Sequence, residues 1–207
     1  MTPEQIEALF TGTDGAYRFA RWGRPIAPVV FGVDEATLAA FKGAIEAVVA
    51  LAGHRMAETD PELGANLMIF VFRDWEELNG LPDLDRMIPD FAALRAGLRA
   101  RDANQYRLFR FDEAGAIRAA FVFLRIDAAL AELPAAALAL DQAARVMLLW
   151  GEDAFAGAGP LARGPAGEIL REDVAALIRA AYDPRMPPAA DDAAHALRLA
   201  ARLPGEG

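Results

Sequence analysis

The chain has 207 residues, a mass of 22.2 kDa, a formal net charge of −9 and a pI near 4.8. It contains neither serine nor cysteine, only two histidines (His54 and His195) and one lysine, Lys42. These absences exclude disulfides, thiolate nucleophiles, Ser-His-Asp triads, Ser-Lys dyads and cysteine-ligated zinc, and leave almost no material for a multi-histidine metal site.

The acidic balance, with no basic run, argues against nucleic acid and anionic membrane surfaces as partners, because both are bound by cations that neutralise phosphates. An apolar fraction of 55% with 25% charged residues suits one folded globular domain with a buried core. The opening MTPEQIEALF has no basic segment followed by an apolar stretch. No apolar run approaches the roughly 18–20 residues of a membrane span. The expected location is the cytoplasm, or the periplasm if a leader has been removed.

In chain order, residues 1–23 read as an N-terminal arm, a short helix and a loop. The apolar, β-branched run 26–33 predicts a buried strand, and Asp34 stands at an N-cap position. Leu38, Phe41, Ile45, Val48 and Ala52 follow at helical spacing, with Gly53 as the stop. Residues 66–72 (NLMIFVF) predict a central strand. Asp74 and Glu77 form a capping pattern for a short helix, and Asp90 opens another through Phe91, Leu94 and Leu98.

Runs 106–111 and 116–125, around Asp112-Glu113-Ala114-Gly115, predict a β-hairpin. Phe70, Phe72, Phe109, Phe111, Phe121 and Phe123 fall in pairs two residues apart on predicted strands, which places each pair on one sheet face in the core. Pro134 starts a helix predicted to run through Trp150, with Gly151 behind it. Residues 151–167 read as a Gly/Pro-rich loop. Val174, Leu177, Ile178 and Ala181 mark a further helix, and a last one covers about 189–203 before the C-terminal tail, so that 189–207 forms a helix and tail. Strands lead and helices finish, which predicts a single α+β domain over 1–207 with one mixed sheet and C-terminal helices.

Candidate chemistry is sparse. His54 follows a helix-ending glycine, where the helix dipole favours a cation. His195 shares no metal spacing with it, and both read as surface or capping residues. Asp83, Asp85 and Asp90 lack the glycine and terminal glutamate of a calcium loop and read as caps. Glu152 and Asp153 are paired carboxylates at a helix end, able in principle to do acid–base work. The loop 157–167 (GAGPLARGPAG) has glycine for a phosphate cradle but no Lys-Ser/Thr, and no G-x-G-x-x-G follows a strand. No cofactor is implied.

Five segments carry a family resemblance: YRFARWGRPIAPVV, GANLMIFVF, AAFVFLRID, LPAAALALDQAARVMLLWGED and LIRAAYDPRMPPAADDAAHALRLAARL. Together they resemble an uncharacterised proteobacterial domain-of-unknown-function family of zincin-like proteins, the YDPRMPP stretch being the most distinctive. The resemblance implies a zincin-like α+β architecture and a metal-site helix at 134–150. In the family that helix usually carries a His-Glu or Glu-Glu pair. Here the pair falls on Asp141 and Gln142, and the next-turn position on Arg145, so the glutamate base is gone and an arginine stands where a cation would bind. Asp141 and Arg145 are spaced for an i,i+4 ion pair.

The resulting expectation is a domain without metal or catalysis and with a binding or scaffolding role. Its partner would be a protein or a small molecule, held in a cleft between the sheet edge and the 134–150 helix near Asp141, Gln142, Arg145, Glu152 and Asp153. Two alternatives stand beside it. One is a carboxylate- and arginine-based hydrolase holding a divalent cation on Asp141, Glu152 and Asp153. The other is a homodimeric interaction protein that pairs through an apolar helix face.

Overall fold

A computed structural model of the chain describes residues 1–79, 81 and 84–204. Its centre is a four-stranded mixed sheet of order β2-β3-β5-β4, built from β2 (Pro28–Phe31), β3 (Leu67–Phe72), β4 (Gln105–Phe111) and β5 (Ile117–Arg125). β2, β3 and β5 run parallel, and β4 closes one edge antiparallel to β5. Helices cover both faces, so the parallel strands are apolar on both sides and appear in the sequence as unbroken hydrophobic runs.

On one face Leu67, Ile69, Ala120, Val122 and Leu124 pack with Phe41, Ile45 and Val48 of α2 (Glu35–Leu51) and with Leu138, Ala139, Ala143 and Val146 of α6 (Ala135–Met147). On the other, Met68, Phe70, Phe72, Phe121 and Phe123 pack under Trp75 and Leu78 of a 3-10 turn, Leu84 of α3 (Leu84–Met87) and Phe91 and Leu98 of α4 (Phe91–Ala100). Each fully buried side chain of this size contributes about 1.5–3 kcal/mol relative to exposure. Both cores therefore rest on the two faces of β3 and β5. The fold is α+β, as the order of elements predicts.

The local signals act as their chemistry requires. The Asp34 carboxylate accepts the N–H of Thr37 at 2.8 Å and starts α2, which ends just before Gly53. Asp74 and Glu77 form the reciprocal capping box of the 3-10 turn. Asp90 differs: it sits at the start of α4 in left-handed conformation (φ 56°) and makes no side-chain cap bond.

The phenylalanine pairing holds on two strands and fails on the third. Tyr106 and Leu108 lie opposite Phe123 and Phe121, so they share the α4 face. Phe109, opposite Ala120, points to the α6 face. A bulge between Arg110 and Phe111 then breaks the alternation and leaves Phe111 42% exposed.

Three further expectations are corrected beyond the hairpin. Helix α6 stops at Met147, three residues short of Trp150. There the chain turns extended, because the Leu149 N–H bonds to the Ala20 carbonyl and the Gly151 N–H to the Leu9 carbonyl. A short α5 (Ala128–Ala131) precedes it. The supposed loop 151–167 contains β6 (Leu161–Gly164), which pairs with β7 (Gly167–Leu170). The last helix, α8 (Ala194–Ala200), begins only after β8 (Ala189–Ala190) has paired with β1 (Phe19–Ala20).

Arm and tail therefore belong to the same body. Helix α1 (Pro3–Phe10) and α8, together with α7 (Glu172–Ala181), contribute Ile6, Phe10, Val174, Leu177, Ile178 and Leu199 to the larger core. Among the described residues no helix is long and apolar enough to cross a membrane.

Candidate functional site

A cleft of about 470 Å³ lies between the edge strand β4, the last turn of α6 and the segment 149–155. Strand alternation aims Gln105, Arg107 and Phe109 toward α6. From α6 comes Arg145, one turn beyond Asp141. The far wall is Leu149, Trp150, Gly151, Glu152 and Phe155, with Phe10 and Arg18 from the N-terminal arm. This wall is held rigidly. Trp150 stacks on Phe10 at 5.3 Å, Phe155 meets Trp150 edge-on at 5.0 Å, and the Trp150 indole donates to the Ala144 carbonyl. Gly151 is needed here because a Cβ would lie 2.6 Å from the Thr11 carbonyl oxygen.

A polar network joins β4 to α6. Arg107 Nη2 donates to Gln105 Oε1 at 2.8 Å and to Gln142 Oε1 at 2.7 Å. The fully buried Gln142 uses its Nε2 to donate to Gln105 Oε1 and Asp141 Oδ2, each at 2.9 Å. Arg145 Nε donates to the same Asp141 oxygen at 2.8 Å, and its guanidinium lies 4.8 Å from the centre of the Phe155 ring. Burial pulls Arg107 down to about 10, assisted by the positive Arg145 and opposed by Asp141, and it stays charged at neutral pH. Glu152 at the rim accepts from the Thr13 hydroxyl at 2.5 Å and the Thr13 N–H at 3.2 Å. Those bonds hold its carboxyl below the usual range.

Of the five residues singled out from the sequence, Arg145 and Glu152 line the cleft, and Asp141 and Gln142 form the layer behind Arg145. Asp153 is exposed and contributes nothing to the lining. Asp141, Glu152 and Asp153 do not converge: among the described residues no three His, Cys, Asp or Glu side chains are placed to hold a metal ion. Asp85 and Asp90 belong to no such group either, and Asp83 lies outside the described residues.

Neither histidine is a surface cation. His54 Nε2 bonds to the Arg24 carbonyl at 2.8 Å, and burial lowers its pKa. His195 is 4% exposed and shares a 2.8 Å hydrogen bond through Nδ1 with the Tyr17 hydroxyl. What the sequence reading missed is Arg107 and the aromatic wall of Phe10, Trp150 and Phe155. Arg107 lies on the predicted strand 106–111, but Gln105 falls just before it, and their shared face shows only once β4 is seen to start at Gln105.

A comparison of the chain with protein-family models, with curated proteins and with solved structures finds no match. The functional reading therefore rests on the geometry and on the resemblance set out above.

Proposed function

We propose that this chain is a zincin-like domain that has lost the metallopeptidase reaction and serves as a binding module, with the cleft between β4 and α6 as its ligand site. The observation that carries the reading is the state of the α6 positions where the resemblance puts zinc ligands. Asp141 and Arg145 are spent on each other, and Gln142 is buried in a network with β4. A zinc site would need those positions to present unpaired imidazole or carboxylate donors to a common point. The adjoining space instead presents guanidinium and aromatic groups, which suit recognition of a small molecule more than activation of water. We place the module in the cytoplasm, with the periplasm as the alternative compartment.

The test is metal content by mass spectrometry on untagged protein purified without chelators, followed by unfolding with added Zn²⁺, Mn²⁺ or Mg²⁺. We expect far less than one metal per chain and an unfolding midpoint unmoved by any of the three ions. Near-stoichiometric metal that disappears in Asp141→Ala would overturn the reading and bring the divalent-cation hydrolase forward.

A further inference from the structure

The three arginines of the cleft are not equivalent. Arg18 is gripped by Asp14 through two hydrogen bonds, Nη1 to Oδ1 at 3.0 Å and Nη2 to Oδ2 at 2.6 Å. Arg145 is paired with Asp141. Arg107 has no carboxylate partner among the described residues. Its bonds go to two neutral amide oxygens, those of Gln105 and Gln142, and its Nε is buried with no partner at all.

A guanidinium withdrawn from water without a counter-charge raises the free energy of the empty protein. Scarcity of acid does not explain it, because the chain has 30 Asp and Glu. Asp141 acts on Arg107 electrostatically but makes no hydrogen bond to it, its Oδ2 being taken by Arg145 and Gln142. Asp141 is thus shared between two guanidiniums, which leaves this side of the cleft net positive, with Arg107 Nη1 the nitrogen left to meet an anion.

Around it stand Phe109, Trp150 and Phe155, with the buried Phe10 stacked behind Trp150. The volume, about 470 Å³, is that of a small-molecule pocket. One free positive charge calls for a monoanion. A phosphate dianion would face Glu152 with its second charge unmatched, since the other two arginines already carry acidic partners.

We propose that the cleft is a carboxylate site, in which Arg107 seats the head group of a small organic monoanion and Phe109, Trp150 and Phe155 hold its flat apolar body. The inference rests on the reading of the cleft as the ligand site and specifies the class of ligand. Gln105 and Gln142 orient the guanidinium, so that Arg107 meets the ligand in a set position. Trp150, braced against Phe10, presents a fixed wall at little entropic cost.

The experiment is calorimetric titration of the whole chain at pH 7 and low salt with three probes: 2-naphthoate, its neutral counterpart 2-naphthamide, and inorganic phosphate. Naphthoate is expected to bind at least tenfold more tightly than naphthamide, and phosphate more weakly than naphthoate. Arg107→Met is expected to weaken naphthoate at least tenfold and leave naphthamide unchanged. Arg110→Met, which removes an arginine bonded to the Met87 carbonyl on the opposite face of β4, is expected to alter neither.

Equal affinity for acid and amide, insensitive to Arg107→Met, would overturn the carboxylate seat and leave the cleft a binding site. Tighter binding of phosphate than of naphthoate would overturn the monoanion class. Silence with all probes would overturn both the seat and the reading beneath it. Should Arg107→Met fail to fold, the contrast between acid and amide on the native chain decides alone.

Discussion

Replacing Gly32 by alanine is expected to destabilise the fold by about 4 kcal/mol, the largest effect of a methyl added at any glycine among the described residues. Gly32 links β2 to the N-cap of α2, with φ +80°, in the left-handed region that side chains disfavour. A Cβ there would lie 1.9 Å from the carbonyl oxygen of Val71 on the neighbouring parallel strand. The obstacle is backbone inside the sheet, so no rotamer change relieves it. Either β2 separates from β3 or the start of α2 moves away from Asp34, and both are built into the larger core. Backbone strain of about 1–3 kcal/mol adds to an overpacking cost of similar size. Denaturant unfolding checks the prediction. Gly43→Ala, in the middle of α2 where a Cβ meets nothing within 4 Å, serves as the control and should be neutral or stabilising.

The second large effect is a loss of stability in mild acid. His195 lies against Phe19 and Tyr17, with Arg198 and Arg202 on its own side of the chain. Burial, reinforced by those two positive charges, depresses its pKa to about 4. Its Nε2 is buried without a partner, which makes a second bound proton costly. The unfolded chain takes up that proton near the ordinary value of about 6.5.

Between those two values the unfolded state binds more protons than the native one, so stability rises with pH. The His195 contribution is full above about pH 6.5, falls as the pH drops toward 4, and levels off below. The shift corresponds to about 3 kcal/mol over that window. His54, also lowered by burial, adds a smaller slope in the same direction. The carboxylates held low by hydrogen bonds, Asp14, Asp127 and Glu152 among them, add their own loss from about pH 5 downward, so the His195 effect is isolated between pH 7 and about 5. Unfolding midpoints measured from pH 7 to about 5 should therefore decline, and His195→Asn should flatten most of that decline. An unchanged slope in the variant would place the titrating group elsewhere.

How far the sequence could be read follows from the range of the interactions involved. The β2–α2 unit, β3 and the β4–β5 hairpin are declared by neighbouring residues: Asp34 before an apolar helical face, an unbroken apolar run, and a glycine turn between two β-rich segments. Helix α6 ends before Leu148, Leu149 and Trp150, although these continue its apolar run, because the Leu149 and Gly151 N–H groups are claimed by the carbonyls of Ala20 and Leu9, more than a hundred residues away. The β1–β8 pairing joins two-residue strands from opposite ends of the chain and has no local signature.

The same limit governs the site. The Asp141–Arg145 pair follows from helical spacing alone. Arg107 becomes notable only once β4 is known to be the edge strand beside α6, and its missing partner is a statement about three-dimensional surroundings.

The central claim, that the cleft between β4 and α6 is where this protein meets its ligand, is tested most directly by the indole signals of its three tryptophans. Trp22 is wholly buried in the larger core with its indole N–H on the Val146 carbonyl. Trp75 sits under the other sheet face, bonded to the Ala103 carbonyl, and Trp150 forms the cleft wall. In a ¹⁵N–¹H correlation spectrum titrated with 2-naphthoate, the Trp150 indole and the Gly151 amide are expected to move saturably while the Trp22 and Trp75 indoles stay fixed. A Trp150 signal that does not move, or three indoles that move together, would contradict the claim.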